Sequence, residues 1–168
     1  TAQKEESMGI CFIGEVSMKE FLSKRIKGRK GKVRQQNGEV IGEHEGLPFY
    51  TIGQRHGFAQ AGGQRPLYVV GKDTEKNELI VGQENDPLLF TTKIEVEEMH
   101  WISGEPVSSS FDCTVRFRHR QKLEKCNVHV SDPQNITITC DNPQRAITAG
   151  QFAVLYKKGV CLGGGVIS

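Results

Sequence analysis

The chain has 168 residues, enough for one ordinary domain or two small ones, and its 36% apolar and 25% charged residues exclude a disordered or fibrous composition. A formal net charge of +2 is too small to argue for a polyanionic partner by itself, so the placement of the basic groups must decide that question. No run approaches the roughly 20 apolar residues that cross a bilayer, and no basic-then-apolar leader opens the chain; the expectation is a cytoplasmic protein with no membrane partner.

The first predicted element is a helix over about Met18–Lys27. Ser17 can cap it, Glu20 completes a capping box, and Val16 and Phe21 occupy the staple positions. Phe21, Leu22 and Ile26 form its apolar stripe, and Lys24, Arg25 and Lys27 crowd its last turn ahead of Gly28, where cations complement the helix dipole.

Everything after the helix reads as β structure. Strands over 32–36 and 39–43 flank Asn37-Gly38, the strongest short hairpin signal. A second pair, 67–72 and 78–81, follows. The polar, proline-containing stretch 82–87 is read as a domain boundary, giving domains 1–83 and 84–168. Beyond it, short strands at 93–101, 111–120, 125–130, 136–140, 151–156 and 159–162 are separated by Asp-Pro, Asn-Pro and Gly turns, the pattern of a small barrel or sandwich.

Alternation along 111–120 puts Cys113, Val115 and Phe117 on one face, with Thr114, Arg116, Arg118 and Arg120 on the other. A face with arginines at 116, 118 and 120 suits phosphates, because the guanidinium fork bonds them bidentately; a solvated strand face is the other reading. The run Lys24, Arg25, Lys27, Arg29, Lys30, Lys32 and Arg34 has no acidic residue within it and favours a polyanion. In Tyr50-Thr51-Ile52-Gly53-Gln54-Arg55-His56-Gly57, glycines bound a polar tip where Gln54, Arg55 and His56 supply donors. Gly163-Gly164-Gly165 lacks the Lys-Ser or Lys-Thr of a phosphate loop and is read as close strand packing or a bulge. The five cysteines, at 11, 113, 126, 140 and 161, contain no C-x-x-C, so neither a disulfide framework nor a metal site is indicated. Cys113, Cys126, Cys140 and Cys161 are read as small core residues, and composition alone favours the same for Cys11.

Five segments nevertheless occur together in order: Ser7-Met8-Gly9-Ile10-Cys11-Phe12-Ile13-Gly14, the Tyr50–Gly57 segment, Arg118-His119-Arg120-Gln121, Gly150-Gln151-Phe152-Ala153-Val154 and Cys161-Leu162-Gly163-Gly164-Gly165. Jointly they resemble the tRNA-specific 2-thiouridylase family, also known as tRNA (5-methylaminomethyl-2-thiouridylate)-methyltransferase, over nearly the whole chain. The resemblance implies a mainly β chain, with a small α+β central domain followed by a closed antiparallel β-barrel resembling a translation-factor barrel. It implies thiolation of the anticodon wobble uridine, with ATP activating the C2 oxygen and a cysteine persulfide supplying sulfur. By motif, Cys11 matches the persulfide-accepting cysteine, and a persulfide is a transferable nucleophile.

Arg118, His119 and Gln151 match tRNA-touching positions of the family, whereas His119 stands where tyrosine is more usual. With Arg120, Gln121, Arg116 and the two basic segments above, they make up the expected tRNA-binding set. The partners implied are tRNA, a sulfur-donor protein (a cysteine desulfurase or sulfur relay), and an N-terminal adenylating domain of the same polypeptide. No Ser-Gly-Gly-x-Asp-Ser-type loop occurs here, so ATP with magnesium is expected on that other domain, no cofactor on this segment, and no complete reaction from it alone. A non-catalytic RNA-binding barrel, or a barrel serving protein contacts, is the alternative.

Overall fold

The computed structural model describes residues 18–55 and 66–168, which divide into two compact units on either side of Gln83 and Glu84. In the first unit, α1 (Met18–Ser23) precedes β1 (Gly31–Gln35), β2 (Val40–His44), β3 (Tyr68–Asp73) and β4 (Glu78–Gly82). The four strands form one sheet in the order β2-β1-β4-β3. Both expected hairpins are present, β1 with β2 and β3 with β4. They are joined by a parallel pairing of β1 with β4, Val33 opposite Leu79 and Gln35 opposite Val81, which makes the sheet mixed. Val33, Val69, Leu79 and Val81 are fully buried and, with Leu47, Tyr50 and Leu67, form its core.

The helix is shorter than expected. It ends at Ser23, and the bond from Ile26 N to Leu22 O (2.8 Å) closes one last turn. Two forces end it. Ile26 is exposed, so a longer helix would gain no apolar burial there, and burial is what stabilises short helices. The chain is then drawn against the loop after β2: a Cβ on Gly28 would overlap the Glu45 carbonyl and the Phe49 ring, and one on Gly46 would overlap Gly28. The expected cap and staple residues Val16 and Ser17 lie outside the described residues.

The second unit is a closed, antiparallel six-stranded barrel. Its strands are β5 (Phe90–Trp101), β6 (Ser110–Arg116), β7 (Glu124–Asp132), β8 (Asn135–Arg145), β9 (Phe152–Lys157) and β10 (Val160–Ile167), in the order β10-β5-β8-β7-β6-β9, with β9 and β10 also paired. Inward residues fill it: Val96, Val115, Val128, Ile138, Ala153 and Leu155 are essentially inaccessible. This is the mainly β architecture expected, with a barrel rather than a sandwich.

Two strands run well past their predicted ends, β8 to Arg145 and β10 to Ile167. β8 continues beyond Cys140 because its Asn142-Pro143 lies in an irregularity: Thr91 pairs with Gln144, whereas Lys93 already pairs with Thr139. A bulge tolerates a residue without an N–H. β10 continues through Gly163-Gly164-Gly165, and both readings of that run apply. Gly163 has φ 153° and a Cβ there would strike the carbonyl of His100, while a Cβ on Gly165 would lie 2.6 Å from Glu97 O. The β10–β5 register also shifts between Gly164 and Val166.

Gly163→Ala is expected to destabilise the barrel by about 1–3 kcal/mol, the usual range for overpacking, read as a lowered thermal unfolding midpoint. An unchanged midpoint would contradict the close approach of β10 to β5.

Candidate functional site

On the barrel, β6 lies beside β9 with Thr114 opposite Tyr156, Val115 opposite Leu155 and Arg116 opposite Val154. Strand alternation sends Val115, Ala153 and Leu155 inward and leaves Arg116, Phe152, Val154 and Tyr156 on the outer surface. An outer face is ordinarily polar, yet Phe152 is 63% exposed. The Arg116 guanidinium lies 5.8 Å from the Tyr156 ring centroid, within cation–π range. Its Nε is buried and has no hydrogen-bond partner, an expensive state for a charged group.

The expected arginine face does not form, because β6 stops at Arg116. The Gln121 side-chain oxygen accepts from Phe117 N (3.0 Å) and Arg118 N (3.1 Å), and its amide nitrogen donates to the Gln144 side chain (3.1 Å). That clamp bends the chain, with Arg120 in the left-handed region at φ 60°. Arg118 turns to donate to the carbonyls of Ala146 (2.7 Å) and Arg145 (3.3 Å). Arg116, Arg118 and His119 still meet, at a surface cleft of about 250 Å³ completed by Phe152, Val154 and Tyr156. His119 and Arg120 are exposed. Gln151 caps the turn before β9, its side-chain oxygen accepting from Thr148 N (3.2 Å). Gln121 and Gln151 therefore hold backbone, and the arginine–aromatic cleft is what they shape.

In the first unit, Lys24, Arg25, Lys27, Arg29, Lys30 and Lys32 are all exposed, and Arg25 lies over the Phe21 ring at 5.2 Å. Asn77 Nδ2 donates to the carbonyls of Arg29 (3.2 Å) and Lys30 (2.8 Å), which fixes the path of the run. The buried His44 supports Asn77 in turn. Its Nδ1 accepts from Gly46 N (3.0 Å), so Nε2 carries the proton and donates to Asn77 O (3.1 Å). Arg34 stands apart from the others: it makes a two-pronged pair with Glu78 (3.0 and 2.8 Å) and bonds the Gly38 carbonyl. Gln54 holds its own turn by accepting from Thr51 N (3.0 Å), while Arg55 is exposed. Cys11 and His56 lie outside the described residues.

Two models of known domains match this chain. One, the tRNA methyl transferase PRC-barrel domain, covers residues 19–83, and the other, the aminomethyltransferase β-barrel domain, covers residues 91–167. The tRNA-specific 2-thiouridylase MnmA of Haemophilus influenzae is 44% identical over 173 residues, covering 100% of this chain and 45% of the relative. The enzyme of the same name from Francisella tularensis subsp. tularensis is 45% identical over 172 residues, covering 99% of this chain and 48% of the relative. The chain belongs to the tRNA-specific 2-thiouridylase family. It spans about half the length of the curated relatives it matches and corresponds to the family's central and C-terminal domains.

Sequence reasoning overlooked Phe152, Val154 and Tyr156 as members of this family's barrel surface. The available signal was an apolar residue at every second position of β9, on the face opposite Ala153 and Leu155. Among the described residues no helix is long and apolar enough to cross a membrane, and no group of three His, Cys, Asp or Glu side chains is placed to hold a metal.

The Arg34 pair makes the first unit sensitive to acid. Hydrogen bonding from Arg34 holds the Glu78 carboxyl below the usual glutamate range. Its stabilising contribution is complete above the unfolded-state pKa and is lost as pH falls through the lower, folded-state value. Glu78→Gln should therefore lower the neutral-pH melting temperature and flatten its decline in acid, measured by thermal melts across pH. A decline as steep as that of the unsubstituted protein would refute the pairing's role.

Proposed function

We propose that this chain is the tRNA-holding and sulfur-bearing portion of an enzyme that makes 2-thiouridine at the anticodon wobble position. The observation that carries the RNA side of the reading is the cleft where Arg116, Arg118 and His119 meet Phe152 and Tyr156. Aromatic faces stack on any unpaired base, and guanidinium groups pair with phosphate or stack in their turn. The Arg116 guanidinium, 5.8 Å from the Tyr156 ring centroid, sets a permanent cation beside that aromatic face. The exposed cations between Lys24 and Lys32 supply the sequence-independent attraction to a phosphate backbone. The relatives' shared name, tRNA-specific 2-thiouridylase, supports tRNA as the RNA in question.

The sulfur side of the reading rests on Cys11 and its motif. An N-terminal adenylating domain of the same polypeptide would hold ATP with magnesium, which would supply the activation of the uridine C2 oxygen. Cys11 takes sulfur from a donor protein, a cysteine desulfurase or a sulfur relay, and presents it as a persulfide. The outer persulfide sulfur then bonds to C2 as the activated oxygen leaves, and a thiol of the adenylating domain attacks Cys11 Sγ, breaking the S–S bond so that the sulfur stays on C2 and Cys11 ends in a disulfide.

Two measurements on the full-length enzyme test the halves separately. Phe152→Ala is expected to weaken tRNA binding about 5- to 150-fold, the equivalent of one lost base stack of about 1–3 kcal/mol. Arg116→Ala should also lower the log–log salt slope by about 0.7–0.9 for one lost phosphate contact. Unchanged affinity and slope in both variants would remove the cleft from the RNA interface.

Cys11→Ser should abolish thiolation while tRNA binding persists, and mass spectrometry after exposure to a persulfide donor should find the added sulfur on Cys11. Normal thiolation by this variant would overturn the sulfur-carrier assignment and leave a non-catalytic RNA-binding module.

A further inference from the structure

A second cleft on the barrel, of about 450 Å³, has two thiols in its wall. Cys113 of β6 and Cys126 of β7 are direct cross-strand partners, and their Sγ atoms lie 3.6 Å apart. Opposed residues of an antiparallel pair have Cα atoms about 4.5–5.5 Å apart, inside the range of about 4.4–6.8 Å that a disulfide accepts. Bond formation at about 2.05 Å then needs the sulfurs to close by roughly 1.5 Å, which side-chain rotation can supply without moving the strands.

The two thiols are not equivalent. Cys126 is buried in the barrel core, whereas Cys113 is half-buried and packs against that core. Lys125, Lys157 and Lys158 also line the cleft, and Lys157 is held over the Phe111 ring at 5.7 Å. Hydrogen bonding from Cys126, helped by the Lys157 charge and opposed by burial and by Asp112, lowers the Cys113 thiol from its ordinary range. The same hydrogen bond, with burial, pushes Cys126 up. Cys140, opposite Cys126 on β8, is pushed up to about 11 by burial and nearby carboxylates. Reactivity follows thiolate character and access, and within this cross-strand pair both favour Cys113 over Cys126.

We propose that Cys113 is a peroxide-reactive thiol with Cys126 as its resolving partner, which makes this cleft a reversible modification site for two-electron oxidants of the hydroperoxide class. The Cys113 thiolate attacks the distal peroxide oxygen, forming an S–O bond as the O–O bond breaks. The departing alkoxide or hydroxide takes up a proton and leaves as alcohol or water. Cys126 sulfur then attacks the sulfenic sulfur, the S–S bond forms, and the hydroxyl leaves as water with the Cys126 proton. Both cysteines are thereby oxidised by one electron pair in total, and the hydroperoxide is reduced by the same pair. This chemistry does not use Cys11, and its cleft shares only Tyr156 with the arginine–aromatic cleft.

The test uses the full-length protein in a Cys11→Ser background, so that the proposed sulfur carrier cannot exchange with barrel thiols. The protein is treated with hydrogen peroxide, its remaining thiols are alkylated, and tryptic peptides are analysed by tandem mass spectrometry, whose fragments separate Cys126 from Cys140 within the peptide 126–145. The expected product joins the Cys113 and Cys126 peptides with loss of two hydrogens and disappears with dithiothreitol. In a Cys126→Ala variant, Cys113 should instead be trapped by dimedone as the sulfenic acid. Recovery of both cysteines as alkylated free thiols, while a peroxide-sensitive reference thiol oxidises, would overturn the proposal, as would a disulfide joining Cys126 to Cys140. The first readout needs no barrel variant, so a folding defect in Cys126→Ala would leave it intact.

Discussion

β10 can lie against β5 and β9 at once because Gly163 and Gly165 bring no side chain to the seam. A Cβ at either position would meet the carbonyls of His100 or Glu97, and a strand held away at that point would leave an open sheet with two edges. Closure removes those edges. It also fixes which residues of β9 look outward, since one step of register would exchange Phe152, Val154 and Tyr156 for Ala153 and Leu155. The position of the arginine–aromatic cleft is therefore set by packing on the far side of β9.

The barrel surface shows a division of labour that residue type alone does not reveal. Amides fold the backbone: Gln121 holds the bend after β6 and Gln151 the turn before β9. Arg118 ties that bend to the carbonyls ending β8. Arg116 is left beside Tyr156 with a buried donor that nothing in the barrel satisfies. In the first unit Arg34 is half-buried and paired with Glu78, whereas the cations that precede it are exposed.

Strand identity was legible in the sequence because one face of each strand is buried and the other solvated. Ile136, Ile138 and Cys140 are buried while Thr137 and Thr139 are not, and Asn37-Gly38 makes the expected hairpin turn. Long-range partners were less legible. The parallel pairing of β1 with β4 depends on contacts between distant segments, and the strand through Pro143 depends on a bulge facing β5. The three-arginine face failed for a local reason: alternation assumes an unbroken strand, and the side chain of Gln121 ends β6 at Arg116. The partial exposure of Cys113 was equally hidden, since it follows from the rim of a barrel whose closure the pattern does not state.

The turn between β3 and β4, from Thr74 to Asn77, looks like the kind of exposed polar connection that drifts freely in length and composition. Its last residue, however, reaches back to the Arg29 and Lys30 carbonyls and rests on His44. The spacing of cations along the basic run is thus inherited from a hairpin far downstream. A one-residue insertion there would leave the strands paired yet shift the ruler against which those charges are set.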